Sequence, residues 1–340
     1  MNKALELFDV EEISDISALE NLYNEWNSLF MQDTSATPFQ SPDWIIPWWK
    51  YFGTGHLYVL CMRNKEKKLV ALALFYIYYL KDSNLKQLTI IGTGNSDYLD
   101  IIADETCKES TTYSLFSYLK ENSFKWDICY FQGLRENSPL MIPEKPYGFS
   151  YEISQHGVCP VVHLNTSYEE YLSLLPTSFR KNIIRAESNL KRSGELLLEQ
   201  ANENAIDDFL FDLFSLHEKS WNEKGSNGVL SGKLIKNFHE DSAKGLLKNK
   251  LLKLYRLKYN DKPAAAAYLM LKDKVIYYYI GGYNPEMKKY SPGSLLILFV
   301  IKEAIENGIK YFDFLMGSEN YKYNFAAADR IISRAILRKL

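Results

Sequence analysis

Cysteine and histidine are scarce in this chain, long apolar runs are absent and net charge is close to zero, and each shortage closes off a class of function. Four cysteines (Cys61, Cys107, Cys129, Cys159) stand far apart in 340 residues, with no CxxC pair and no histidine at metal-ligand spacing. Neither a metal site nor a disulfide framework is therefore expected. A reducing, cytoplasmic setting follows. The longest apolar stretch, Leu69 to Leu80, has 12 residues, whereas a membrane span needs about 20. Peripheral contact with a membrane stays open. The start, MNKALELFDVEEISD, turns acidic early and has no apolar h-region, so it does not read as a signal peptide.

What is present suffices for two domains, since a domain takes roughly 100 to 200 residues. A hydrophobic content of 46% with 24% charged residues matches ordinary globular chains with a sizeable core. The net charge of −2 hides an asymmetry. Residues 1–155 hold 13 Lys/Arg against 21 Asp/Glu, a balance of −8, while residues 156–340 hold 27 against 21, a balance of +6. Charge steering places an anionic ligand in the second half.

Periodicity predicts a helix over Ile16–Phe30 and another after Ser41-Pro42 up to Gly53. Strands are expected at His56–Met62, Leu69–Leu80, Gln87–Ile91 and Tyr98–Ala103, then a helix at Glu109–Glu121 and a strand at Trp126–Phe131. The proline-rich segment Asn137–Pro160 reads as irregular and as the boundary between domains 1–155 and 156–340. Beyond it come helices at Tyr168–Leu175 and Phe179–Arg192, a strand at Leu196–Gln200, and helices from about Ala205 to Trp221 and from Gly232 to Asn249. The meander Leu251–Lys258, Ala264–Leu271, Lys274–Gly281 follows, then helix Ser294–Glu306 and strands Tyr311–Leu315 and Arg330–Leu337. Both halves share three antiparallel strands, a helix and a further strand, which predicts two copies of one α/β fold.

Several constellations suit chemistry. In KKYSPGSLL (Lys288–Leu296) a strand, a glycine-containing turn and a helix N-terminus make an anion site, because free backbone N–H groups and the helix dipole converge there. The same residues also suit plain capping of a core helix. Past the strand at Tyr311, the run Asp313-Phe314-Leu315-Met316-Gly317-Ser318-Glu319-Asn320-Tyr321-Lys322-Tyr323 offers Glu319 as a general base and Tyr321 or Tyr323 as the acid for a leaving thiolate. A surface pair of Lys322 with Glu319 and packed tyrosines is the alternative. Helix Phe179–Arg192 carries a basic stripe of Lys181, Arg185 and Arg192, joined by Arg180 and Lys191 as further positive charges, either solvated or touching a phosphate or acidic substrate. Asp97 and Asp100 flank Tyr98 after a glycine turn, pointing to opposite faces if extended. His217 falls on an apolar stripe with Leu210, Phe214 and Trp221, as a packed or a catalytic histidine.

The ordered set PFQSPDWIIPWW (Pro38–Trp49), GNSDYLD (Gly94–Asp100), SFRKNIIRAESNL (Ser178–Leu190), LHEKSW (Leu216–Trp221), YYYIGGYNPEMKKYSPGSLL (Tyr277–Leu296) and DFLMGSENYK (Asp313–Lys322) resembles the CelD-like acetyltransferases. That family belongs to the GNAT superfamily and is related to the Fem aminoacyl transferases. The resemblance implies an α/β mixed sheet in tandem GNAT-like acyltransferase domains, the first degenerate and the second binding acyl-CoA. It implies direct transfer from acetyl-CoA or a longer acyl-CoA to an amine or hydroxyl on a small molecule, sugar, or lipid or polysaccharide precursor. The donor would contact Ile280, Gly281, Lys289, Tyr290, Ser291, Pro292, Gly293, Ser294 and Leu295. Catalysis would draw on Glu319, Tyr321, Tyr323, Asp313 and His217, and the acceptor on Asp97, Tyr98, Asp100, Arg180, Lys181, Trp221 and Lys322. Only Gly293 represents the spaced glycines of the usual pyrophosphate pattern. The alternatives are a Fem-like transferase using aminoacyl-tRNA, the one case with a nucleic-acid partner, and a non-catalytic scaffold.

Overall fold

Leu57–Met62 and Leu69–Ile77 are buried without a break, as in strands covered on both faces. They anchor the first of two units in the computed structural model, which describes residues 7–141 and 148–340. The first unit comprises Met1–Gly157 with Ile331–Leu340, and the second Val158–Arg330.

In the first unit β1 (Asp9–Ile13), α1 (Ile16–Asn21), α2 (Tyr23–Gln32) and α3 (Pro42–Phe52) precede β2 (His56–Arg63), β3 (Leu69–Tyr79), β4 (Lys86–Ile90) and β5 (Ile102–Ala103). Then come α4 (Lys108–Glu121), β6 (Ile128–Leu134) and β7 (Phe149–His163), which enters the second unit at Val158. The strand order is β1-β2-β3-β4-β6, continued by β13 (Ala328–Lys339) and β7, with β5 on β3. β4 and β6 are parallel and α4 connects them. Leu115 and Leu119 of α4 pack with Phe75, Phe131, Ala335 and Leu337 in the core.

The second unit holds α5 (Tyr168–Leu174), α6 (Thr177–Ser193), β8 (Leu196–Gln200), α7 (Ile206–Asn222), α8 (Lys233–Lys248), β9 (Leu252–Tyr259), β10 (Lys262–Lys272), β11 (Val275–Tyr283), α9 (Pro292–Glu306), β12 (Tyr311–Asp313) and α10 (Asn320–Tyr323). Its strands run β7-β12-β11-β10-β9-β8, antiparallel except for the β11–β12 pair that α9 bridges. Its core gathers Ile183 and Leu190 of α6 and Leu295 to Ile301 of α9 around Leu257, Ala265, Ala267 and Phe312. Each unit therefore contains a three-strand meander, a helix and a parallel strand in that order.

The structure departs from the expected elements in several places, among them the strand expected over Tyr311–Leu315, which stops at Asp313, and the short helix α10, which is not among those expected. β1 adds a strand ahead of the first helix, and that helix breaks at Leu22 into α1 and α2. The strand expected over Tyr98–Ala103 shrinks to Ile102–Ala103, because its backbone is satisfied by side chains and by a single bond to β6: Gln40 Nε2 donates to Asp100 O (3.1 Å), Asp100 Oδ1 accepts from Ile101 N (2.8 Å), and Leu99 N donates to Gly133 O (3.3 Å). The segment Asn137–Pro160, expected to be irregular, runs into the 15-residue strand β7; its residues 142–147 lie outside the described ones.

Candidate active site in the second unit

β11 pairs with β10 along its whole length but with β12 only from Val275↔Tyr311 to Tyr277↔Asp313. Tyr279 is an extra residue between the pairs Leu269↔Tyr278 and Tyr268↔Ile280, a bulge that resets the alternation. Asn284 N donates to Ala264 O (2.8 Å), so two residues back Gly282 also faces β10, and the N–H and C=O of Gly281 and Tyr283 face away from it. The result is an open strand edge past the end of the β11–β12 ladder.

The chain after β12 is turned away from that edge by a buried polar knot. Leu315 takes a left-handed φ of 58°, and its N–H donates to Asp313 Oδ1 at 2.9 Å. Asp313, fully buried, accepts from Arg330 Nη1 on its other oxygen (2.8 Å). Lys322 buries its ammonium and donates to the carbonyls of Leu315, Met316 and Gly317 at 3.3, 3.0 and 3.0 Å.

Two tyrosines line the opening. The Tyr278 ring packs on Phe312 and Phe314, and its hydroxyl occupies the place a Cβ at Gly281 would need. Tyr321 meets Phe314 edge to face at 6.1 Å. Burial pushes both hydroxyls well above the usual tyrosine range, for Tyr321 reinforced by Tyr278 and Glu319, so both hold their protons at neutral pH. On the α7 side, the backbone of Leu216 and His217 fills the Cβ position of Gly282. His217 Nδ1 lies 3.0 Å from Gly281 O. Its Nε2 has no hydrogen-bond partner among the described residues and would lie 2.7 Å from a Cβ at Gly228.

At the start of α9, Ser291 is left-handed (φ 49°) and Pro292 has no N–H. Leu295 N donates to Ser291 O (3.0 Å), which leaves the Gly293 and Ser294 N–H groups without an acceptor among the described residues. The space over Gly293 is open, its Cβ position lying 3.9 Å from the nearest atom, in Tyr283. A phosphate oxygen can therefore approach the backbone there. Lys288 is taken by Glu223 at 2.8 Å, while Lys289 lies 4.8 Å over the Tyr290 ring and has no acidic partner among the described residues.

The sequence-derived candidates thus separate into groups. Ile280, Gly281, Tyr321 and His217 meet around the open edge, and Lys289, Tyr290 and Ser291–Leu295 form the turn next to it. Glu319 pairs with Lys322 through Oε2 (2.8 Å), and its other oxygen has no partner among the described residues. Tyr323 donates to Asp329 at 2.8 Å. Arg180 donates to Leu172 O (3.1 Å), Lys181 is exposed, and the Trp221 ring meets His217 at a tilt, centroids 5.8 Å apart. Asp97, Tyr98 and Asp100 belong to the first unit, with Asp100 bonded to Ser138 Oγ at 2.9 Å. Tyr278 is absent from the candidates read in the sequence. Its only signal there is the paired glycine three residues on, which leaves room for its hydroxyl.

Residues 177–323 match the family model described as "Acetyltransferase (GNAT) domain". No curated protein matches the sequence. Among solved structures, FemX superimposes with a TM-score of 0.67 at 12% identity, covering 96% of each chain. The C-terminal domain (DUF2156) of a putative lysylphosphatidylglycerol synthetase from Agrobacterium fabrum gives 0.60 at 14% identity over 93% of this chain and 91% of that one. L-PGS from Bacillus licheniformis gives 0.57 at 13% identity over 92% and 90%. Residues 177–323 of the second unit are thus similar to a GNAT acetyltransferase domain, and the chain as a whole shares the fold of FemX.

Proposed function

We propose that the protein transfers an acyl group directly from acyl-CoA to an amine or hydroxyl acceptor. The observation that carries this reading is the open edge of β11 beside the uncapped first turn of α9. The N–H groups of Gly293 and Ser294, with Lys289, receive the donor's pyrophosphate, and the acyl-pantetheine arm lies along the edge past Tyr277. There the Gly281 N–H polarises the thioester carbonyl. Glu319, through its unbonded oxygen, takes the acceptor's proton, and Tyr321 returns one to the departing thiolate. Asp313, Lys322 and Tyr323 are committed to internal bonds and shape the site without touching substrate.

Titration calorimetry with acetyl-, medium-chain and long-chain CoA, followed by a transfer assay on an amine and alcohol panel, tests the reading. Binding of one donor and a loss of transfer of at least tenfold in Tyr321→Phe are expected. No binding of any CoA ester would overturn it. The likeness to FemX over the whole chain favours a second reading, a Fem-type donor in the form of aminoacyl-tRNA. That reading requires binding that weakens steeply with salt, because phosphate contacts release counterions.

A further inference from the structure

We propose that His217 is a positioning residue that stands in for the missing neighbour strand: it tethers the Gly281 carbonyl and so holds the adjacent N–H groups of β11 aligned for the acyl donor. The role rests on the acyl-donor reading above; the tether itself is a matter of geometry.

A strand whose ladder stops halfway leaves its edge without the bonds that fix it. β12 serves β11 only as far as Tyr277, and the chain beyond Asp313 is held elsewhere by Lys322 and Asp313. Gly281 O, which faces away from β10, lies past the end of that ladder, where no strand supplies a donor. It receives one from outside the sheet, from His217 Nδ1 on α7 at 3.0 Å. A carbonyl can only accept, so Nδ1 carries the proton and the neutral ring keeps its lone pair on Nε2.

Two further features fit a ring placed for this one bond. Gly282 lets the α7 backbone come so close that any side chain there would collide with His217 and Leu216. The other nitrogen, Nε2, is buried and has no hydrogen-bond partner among the described residues, although His217 is only 2% exposed. A histidine kept for packing alone would be better served by an apolar side chain, since a buried unpaired nitrogen is costly.

The test compares His217→Leu, which fills similar space without a donor, with His217→Asn, whose amide nitrogen falls near the Nδ1 position and can still donate. Hydrogen exchange of the peptide covering residues 278–284 in the ligand-free full chain reads the tether without any donor. Exchange at least fivefold faster in the Leu variant and near wild type in the Asn variant is expected. Exchange unchanged or slower in Leu, or equally fast in both, overturns the tether. With an acyl-CoA that the wild type turns over, kcat should fall at least tenfold in Leu at little change in donor KM, and recover in Asn. A donor KM that rises while kcat holds, or an Asn variant as impaired as Leu, overturns the positioning role. If no CoA ester binds, the donor reading fails, and the exchange comparison still decides the tether.

Discussion

Asp100 shows how far burial, helped by the charge of Asp33, can move a carboxylate. Burial pushes its pKa up to about 7, against the pull of the Ser138 hydroxyl, the nearby Arg135 and the Ile101 N–H. In the unfolded chain the same group ionises near 4. The folded protein therefore holds the proton more tightly, and the stability this gives is present below pH 4 and lost as pH rises through about 7. Asp100→Asn removes the titration. Its stability relative to wild type should rise between pH 5 and pH 8, by about 3 kcal/mol at most, as urea midpoints at the two pH values would show. At the same scale, Gly281→Ala places a methyl group where the Tyr278 hydroxyl sits. A loss of roughly 1–3 kcal/mol is expected. Most of it should return in the double variant with Tyr278→Phe, since the colliding oxygen is then gone. Equal losses in the single and double variants would refute this account of the glycine.

Among elements, the knot behind β12 is the most exposed to test. Lys322 lies on a four-residue helix and feeds three consecutive carbonyls of the 315–317 turn. Lys322→Met keeps the length and removes the donors, so the turn should loosen and the protein lose about 2 kcal/mol. Thermal melts, with exchange of the 314–318 peptide, would check both.

The sequence makes elements with strong periodicity or turn chemistry readable, such as β9 to β11, turned at Asn260-Asp261 and at Asp273, all three left-handed. It also groups PFQSPDWIIPWW and GNSDYLD as separate motifs that the fold joins: Trp44 Nε1 donates to Ser96 Oγ and Trp48 Nε1 to Asn95 Oδ1, each at 2.9 Å. That joining explains why Tyr98–Asp100 is not a strand, a point invisible in local propensity because the competing donors are dozens of residues away. The same limit hides the commitment of Asp313 and Lys322. In sequence they look like a reactive cluster, and only Arg330 and the bend at Leu315 show them to be occupied.

On the scale of the whole molecule, the two units are unequal in how they are assembled from the chain. The second is one continuous stretch, Val158–Arg330, while the first borrows Ile331–Leu340 from far along the sequence. That borrowed piece is the part of β13 that lies between β6 and β7, with Ala335 and Leu337 fully buried in the core. A chain stopped at Arg330 should leave the β6 edge and the core beneath it open. Five of the six tryptophans lie in the first unit, so their fluorescence should shift to the red in the shortened chain. An unchanged spectrum and melting curve would show that β13 is dispensable.

The returning strand also sets a timetable. Domains made on the ribosome usually close in the order in which they emerge. Here the first-made unit has to wait, with an interior strand missing, until residues beyond Arg330 have left the exit tunnel, while the later-made unit already has all its residues. Whatever shields the β6 edge during that interval, a chaperone or a transient pairing within the nascent chain, becomes part of how this protein reaches its native state.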